Sequence, residues 1–248
     1  MSCQSQRIGV CAESIERIDA MPNPITNLTE SMRDVKRLMQ IHSDVGGTTQ
    51  GRRYGLDVLN RSGVVFLAAA WEAFVEDVAL QAINHILSVA KNPKAIPLSI
   101  RKGVARYVQD SKHDLKAWDL AGEGWKEVVR EYKDDLLRQD IATFNTPKPH
   151  NVDNLFKKLL GVEQISALWC WQGMSKTSAS AKLRKFIETR GAIAHRGELL
   201  QSITKDYVED HRKFINRLCV KTSNVIRDHI KTQVGSYPWR CATYGSFR

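Results

Sequence analysis

The chain is poor in the residues that build covalent or metal-stapled folds. Its 248 residues include five cysteines, Cys3, Cys11, Cys170, Cys219 and Cys241. They are odd in number and scattered, with no CxxC pair, which argues against a disulfide framework and against a zinc site. A reducing compartment fits this usage. Glycine-rich phosphate loops and GxSxG elbows are absent, so the P-loop and nucleophile-elbow chemistries have no anchor. The longest apolar run, Val64 to Trp71, is broken by Glu72 and is too short to span a bilayer. The N-terminus has no apolar signal core. These absences predict a cytoplasmic protein with no membrane contact. No segment alternates apolar and polar residues over more than four positions, which leaves a sheet without support, and no internal repeat is evident.

With only 7 Pro and 15 Gly, the chain has room for long helices, and an apolar fraction of 42% is enough for a proper core. Lys and Arg exceed Asp and Glu by ten, 37 against 27, and an excess of that size favours an anionic partner, nucleic acid being the commonest. The alternative is a basic but inert surface.

Helical periodicity runs through most of the sequence. Residues 1–24 read as a short helix or arm, broken at Met21-Pro22-Asn23-Pro24. Thr26 to Asp44 reads as a helix with the stripe Leu28, Met32, Val35, Leu38, Met39; Thr26 or Asn27 can cap it, Glu30 completing a capping box from Asn27, and Gly46-Gly47 stops it. A polar, Arg-containing loop at 45–55 precedes a long helix from about Leu56 to Val89, ended by Asn92-Pro93. Shorter helices are expected at 98–108, 125–137 and 152–160, the last stopped by Gly161 after a loop from Thr143 to Asn151. The polar stretch Ser175 to Ser180 leads into a helix from Ala181 to Arg196, with Gly197 placed as its C′ glycine. A last helix spans Thr204 to Lys231, followed by a loosely attached tail. The expected fold is all-α, an up-and-down helical bundle in a single domain. Its core is 25–232, with helical insertions at about 91–175 and a tail at 233–248.

Three pairs match Arg-x4–6-His: Arg37/His42, Arg106/His113 and Arg190/His195. Arg37 points away from His42's apolar side, and the second pair crosses Gln109-Asp110-Ser111, where a helix ends. In the helix Ala181–Arg196, which ends within TRGAIAHRGE, the stripe Leu183, Phe186, Ile187, Ile193, Ala194 carries Arg190 in its middle. A charge there must be paired or must line a cleft or interface. His195 lies about 140° around the helix, in the last turn, where the dipole favours an imidazolium by roughly 0.3–1 kcal/mol. A fixed guanidinium and a group titrating near neutrality can hold a phosphate and move a proton. The bland alternative is a structural ion pair between Arg190 and Glu72 on the long second helix, with His195 a simple helix-end cation.

Other clusters are weaker. Glu72, Glu76 and Asp77 lack a histidine at i±3 or i±4, so a solvated or ion-paired face is expected and no metal is implied. Trp169 and Trp171 fit packing. Arg52 and Arg53 beside Tyr54, and Lys182, Arg184 and Lys185 on the exposed side of the motif helix, can contact a nucleic acid backbone. Arg196 beside the motif joins this RNA-binding set.

Three segments together resemble the HEPN superfamily, in particular its RiboL-PSP-HEPN and MAE-type groups. They are Ala70-Trp71-Glu72-Ala73-Phe74-Val75-Glu76-Asp77, then Phe144-Asn145-Thr146-Pro147 through Asn154-Leu155-Phe156 to Leu160-Gly161, then Arg190 to Gly197. The resemblance covers roughly residues 25–232. It implies a helical bundle that pairs as a homodimer, with the two Arg-His motifs facing each other across a metal-independent, cofactor-free ribonuclease site. Arg190 and His195 take the catalytic positions, with Glu72 a supporting acid. It further implies RNA as substrate, 2′,3′-cyclic phosphate and 5′-hydroxyl products, and a place in anti-phage defence or a toxin–antitoxin system with an antitoxin or defence partner protein. The position after the Arg, often polar in the superfamily, is Gly191 here, which bears on full activity. The place of a nucleotidylated Tyr in some toxin groups holds Gly197, which argues against that regulation.

Overall fold

The computed structural model describes residues 24–46, 55–113, 115–141, 146–196 and 202–244, with the side chains of 137–141 and 195–196 excepted. Seven α-helices and no strands lie in these residues: α1 (Pro24–Gly46), α2 (Asp57–Val89), α3 (Leu98–Gln109), α4 (Trp125–Ile141), α5 (Pro149–Leu160), α6 (Lys176–Arg196) and α7 (Lys205–Val234). The fold is the expected all-α bundle.

The central element is α2, which touches α1, α4, α5, α6 and α7. Its composition explains this, since Val64, Leu67, Ala68, Trp71, Phe74, Val75, Val78, Ala79, Ala82 and Ile83 are all buried. A helix apolar on most sides must be covered on most sides. Gly63 lets α7 approach: a Cβ there would stand 2.9 Å from Val208 Cγ1 and 3.1 Å from Met39. Asn60 ties the same end down, donating to the Ile203 carbonyl at 2.8 Å.

Several local expectations need correction. Asn27 is not the cap of α1, which starts at Pro24; its amide donates instead to Asp77 Oδ2 at 2.9 Å. Helix α5 starts at Pro149, inside the stretch read as a loop, because proline's missing N–H costs nothing at the first helical position. Helix α6 starts at Lys176, five residues early, because Ser175 Oγ accepts from the Ser178 N–H at 3.1 Å and caps it. The tail is packed, not loose, as far as it is described, to Tyr244: Trp239 is 1% exposed, its carbonyl accepts from Arg227 Nε at 3.0 Å, and Asn224 bonds both the N–H and the carbonyl of Ala242 at 2.9 Å. The stop at Gly161 stands as expected, with φ +72° and its N–H on the Lys157 carbonyl. Residues 1–23 of the arm, Gly47 and Gly197 lie outside the described residues.

Candidate functional site

The three segments singled out in the sequence meet on one side of the bundle. Trp71 is fully buried on α2, and its indole donates to the Pro147 carbonyl at 3.0 Å. Asn151 holds the neighbouring Thr146 carbonyl at 2.6 Å. Lys148 reaches across to α6, with Nζ 3.3 Å from Glu188 Oε1. Trp71 also packs edge-on against Trp169, ring centroids 5.9 Å apart, and Trp169 donates to Thr222 Oγ1 on α7 at 3.0 Å. Glu72, next along α2, therefore follows a residue pinned both to the Pro147 segment and to Trp169. Phe144 and Asn145 lie outside the described residues.

Helix α6 leaves the core near its end. Leu183, Phe186 and Ile187 are buried, Ile193 is only partly buried and Ala194 is exposed. Arg190 is half-buried, so it lines a surface where the helical wheel alone put it inside an apolar stripe. Its charge is felt on α2: burial raises the Glu72 carboxyl above its ordinary value, and the Arg190 guanidinium partly offsets that rise. Among the described residues neither side chain makes a closer ion pair. Glu76 is raised by burial first and then by the negative charges of Glu72 and Asp77. The face expected to be solvated or ion-paired is thus half-buried and self-repelling, with Arg190 the cation that acts on Glu72. Among the described residues no group of His, Cys, Asp or Glu is arranged to hold a metal.

The other flank of α6 is held by residues that the motif search missed. Tyr207 Oη donates to Thr189 Oγ1 at 3.2 Å, and Thr189 in turn donates to the Lys185 carbonyl at 3.0 Å. His211 lies between Tyr207 and Phe186, with centroids 4.1 and 5.0 Å away, and its Nδ1 meets the Tyr207 carbonyl at 2.8 Å. Burial lowers the His211 pKa, and the Lys182 and Lys185 charges push the same way. The signal was in the sequence: Tyr207, His211 and Phe214 stand at i, i+4 and i+7 of one helix.

Of the residues expected to touch RNA, Lys185 is exposed and Lys182 is half-buried, its Nζ 5.1 Å from the Phe214 ring centroid. Arg52 and Arg53 lie outside the described residues, as do the side chains of His195 and Arg196; the backbone places the last two in the final turn of α6.

Residues 26–228 match the family described as RiboL-PSP-HEPN. The chain belongs to the RiboL-PSP-HEPN family. The match runs from the first turns of α1 into the last turns of α7 and takes in all three segments. No curated protein and no solved structure matches the chain. Membership in this HEPN family makes a nuclease or an RNA-binding module the class of function to consider. No helix among the described residues is long and apolar enough to cross a membrane.

Proposed function

We propose that this RiboL-PSP-HEPN protein is a metal-independent endoribonuclease that works as a homodimer. The carrying observation is Arg190, a half-buried cation where α6 emerges from the core, acting electrostatically on the half-buried Glu72 of α2. RNA brings its own nucleophile, so the protein must only orient the 2′-hydroxyl, move protons and offset charge on phosphorus. In this reading His195 takes the 2′-hydroxyl proton as that oxygen bonds to phosphorus. The P–O5′ bond breaks, and the leaving oxygen takes a proton to become a 5′-hydroxyl, leaving a 2′,3′-cyclic phosphate. Proton transfer by a positioned imidazole typically contributes 10²–10⁴-fold. Arg190 holds the phosphate and offsets its growing charge, and Glu72 orients Arg190.

A second copy has a place to sit. Val58, Val65, Phe66, Ala69 and Ala73 are exposed on one face of α2, Phe66 by 53%, and the row ends at Glu72 and Glu76. An apolar helix face of this kind favours a protein partner. A twofold contact there would bring two Glu72–Arg190 pairs to one groove. The reading places the protein in the bacterial cytoplasm, in anti-phage defence or with an antitoxin.

Purified protein should cut labelled RNA in EDTA and leave cyclic phosphate ends detectable by mass spectrometry. His195→Ala and Arg190→Ala should each abolish cutting while circular dichroism stays native. Cutting that persists in both variants would remove these roles.

A non-catalytic RNA-binding or assembly module is the second reading, and Gly191 favours it. The position often filled by a polar side chain in HEPN proteins is empty here, and a Cβ at Gly191 would meet nothing within 4 Å. A module of that kind binds RNA without cutting it, and Arg190→Ala then lowers Tm instead of a rate.

A further inference from the structure

Lys213, Arg217 and Lys221 stand at i, i+4 and i+8 of α7 and so share one face. Lys213 and Arg217 are exposed and Lys221 is half-buried. The row continues onto α6, where Lys182 reaches the ring of Phe214, the residue after Lys213, and Lys185 lies one turn further along α6. At the other side the Arg217 guanidinium lies 4.6 Å from the ring centroid of Tyr244, which is 44% exposed. Tyr244 is not on a free end: Asn224 clamps Ala242 two residues before it.

None of these five cations forms an ion pair among the described residues. Elsewhere on the surface Lys116, Lys126, Arg130, Lys148 and Arg212 each hold a carboxylate, whereas along this row no carboxylate among the described residues answers the charge. Asp210, one turn before Lys213, is exposed and makes no pair with it. Clustered cations without partners repel one another, and a polyanion relieves that repulsion. The ring of Tyr244 decides which polyanion fits. Arg217 covers one face of it, and an aromatic ring beside a cationic row is how single strands are held: phosphates on the row, a base on the ring.

We propose that Lys182, Lys185, Lys213, Arg217 and Lys221 form a phosphate-binding band for single-stranded RNA, with Tyr244 as its stacking platform. The band starts on the same helix as Arg190 and leads a strand away from it along α7. It rests on the RNA reading above but not on catalysis.

The test uses the full chain carrying His195→Ala, so that RNA is bound and not cut. Binding of a short 5′-fluorescein oligouridine is followed by anisotropy across a salt series. Replacing Lys213, Arg217 and Lys221 together by Ala should weaken binding at least about tenfold and flatten the log–log salt slope by about 2, at about 0.7 per lost contact. Tyr244→Ala should weaken binding about fivefold or more at unchanged slope, and Tyr244→Phe should restore it. Triple-variant binding within about twofold of the parent, with the same slope, overturns the proposal. So does binding to phosphatidylserine vesicles that is lost in the triple variant while RNA binding is kept, which would assign the band to a membrane surface. A wild-type chain that binds through the band and never cuts supports the band and removes only the nuclease reading. A chain that cuts with the triple variant binding normally does the reverse.

Discussion

Tyr207 donates its hydroxyl to Thr189 at 3.2 Å, and Thr189 is the residue before Arg190. The bond anchors the emerging end of α6 to the first turn of α7, where Thr204 Oγ1 caps the Tyr207 N–H at 3.1 Å. Burial raises the Tyr207 pKa, so its hydroxyl stays protonated and keeps donating. Tyr207→Phe removes this bond and retains the ring on His211. A neutral hydrogen bond is worth about 1 kcal/mol net. On the proposed nuclease reading, if the same amount is lost at the transition state, cutting slows about fivefold. The expected pattern is a lower kcat at unchanged KM, with Tm down by only about 2–4 °C. An unchanged kcat would show that Arg190 is held by other contacts.

Trp71 carries a second link, from α2 to the Pro147 carbonyl. Trp71→Phe keeps an aromatic ring beside Trp169 but orphans that buried carbonyl and leaves a void. An unsatisfied buried acceptor costs about 1–3 kcal/mol, and the lost ring volume adds to it. Urea denaturation should show a midpoint lowered in proportion, with the slope m unchanged. On the proposed nuclease reading RNA cutting should fall too, because Glu72 follows Trp71 on the same turn.

Gly63 sets how closely α2 and α7 meet. Alanine is the better helix former by about 1 kcal/mol, so propensity alone predicts stabilisation. The Val208 methyl only 2.9 Å from a new Cβ opposes this, because a branched side chain cannot swing its methyls aside freely. Overpacking of this kind costs typically about 1–3 kcal/mol, so Gly63→Ala should be net destabilising. Gly191→Ala, with open space around its Cβ, isolates the propensity gain and should raise Tm. The two alanines should therefore move Tm in opposite directions.

The helices were legible because their apolar residues recur at the helical period, and α2, α3 and α7 begin within about a residue of where that period puts them. The early starts of α5 and α6 were not, because a proline at the first position and a serine cap act through local backbone geometry and leave no periodic trace. Helical phase set Arg190 in line with the apolar residues of α6, and its charge acts on Glu72 of α2. Phase does not say where a helix runs out of neighbours, so it placed Arg190 among core residues although the chain is half-open there. The packing of the tail was hidden for a different reason. Trp239 is held by Arg227 and Ala242 by Asn224, and nothing in the local sequence announces such pairings.

His211 predicts a pH effect whose sign follows from its surroundings. It is 8% exposed and stacked on Phe186. Burial lowers its pKa first of all; the Lys182 and Lys185 charges from α6 also lower it, while the Tyr207 carbonyl and Asp210 oppose them. The folded chain thus binds a proton at His211 less readily than the unfolded chain does. The stability this contributes is complete above the unfolded value of about 6.5 and drains away as pH falls through it. His85, also lowered mainly by burial, acts in the same direction. Glu72 and Glu76, raised above 4.5, act in the opposite direction at lower pH. His211→Phe keeps a ring on Phe186 and cannot titrate. Between about pH 7.5 and pH 5.5 its Tm should fall less than that of the wild type, with a remainder owed to His85. Equal declines in the two proteins would show that His211 takes up its proton without disturbing the contact between α6 and α7, and acid would then leave the Arg190 end of α6 in place.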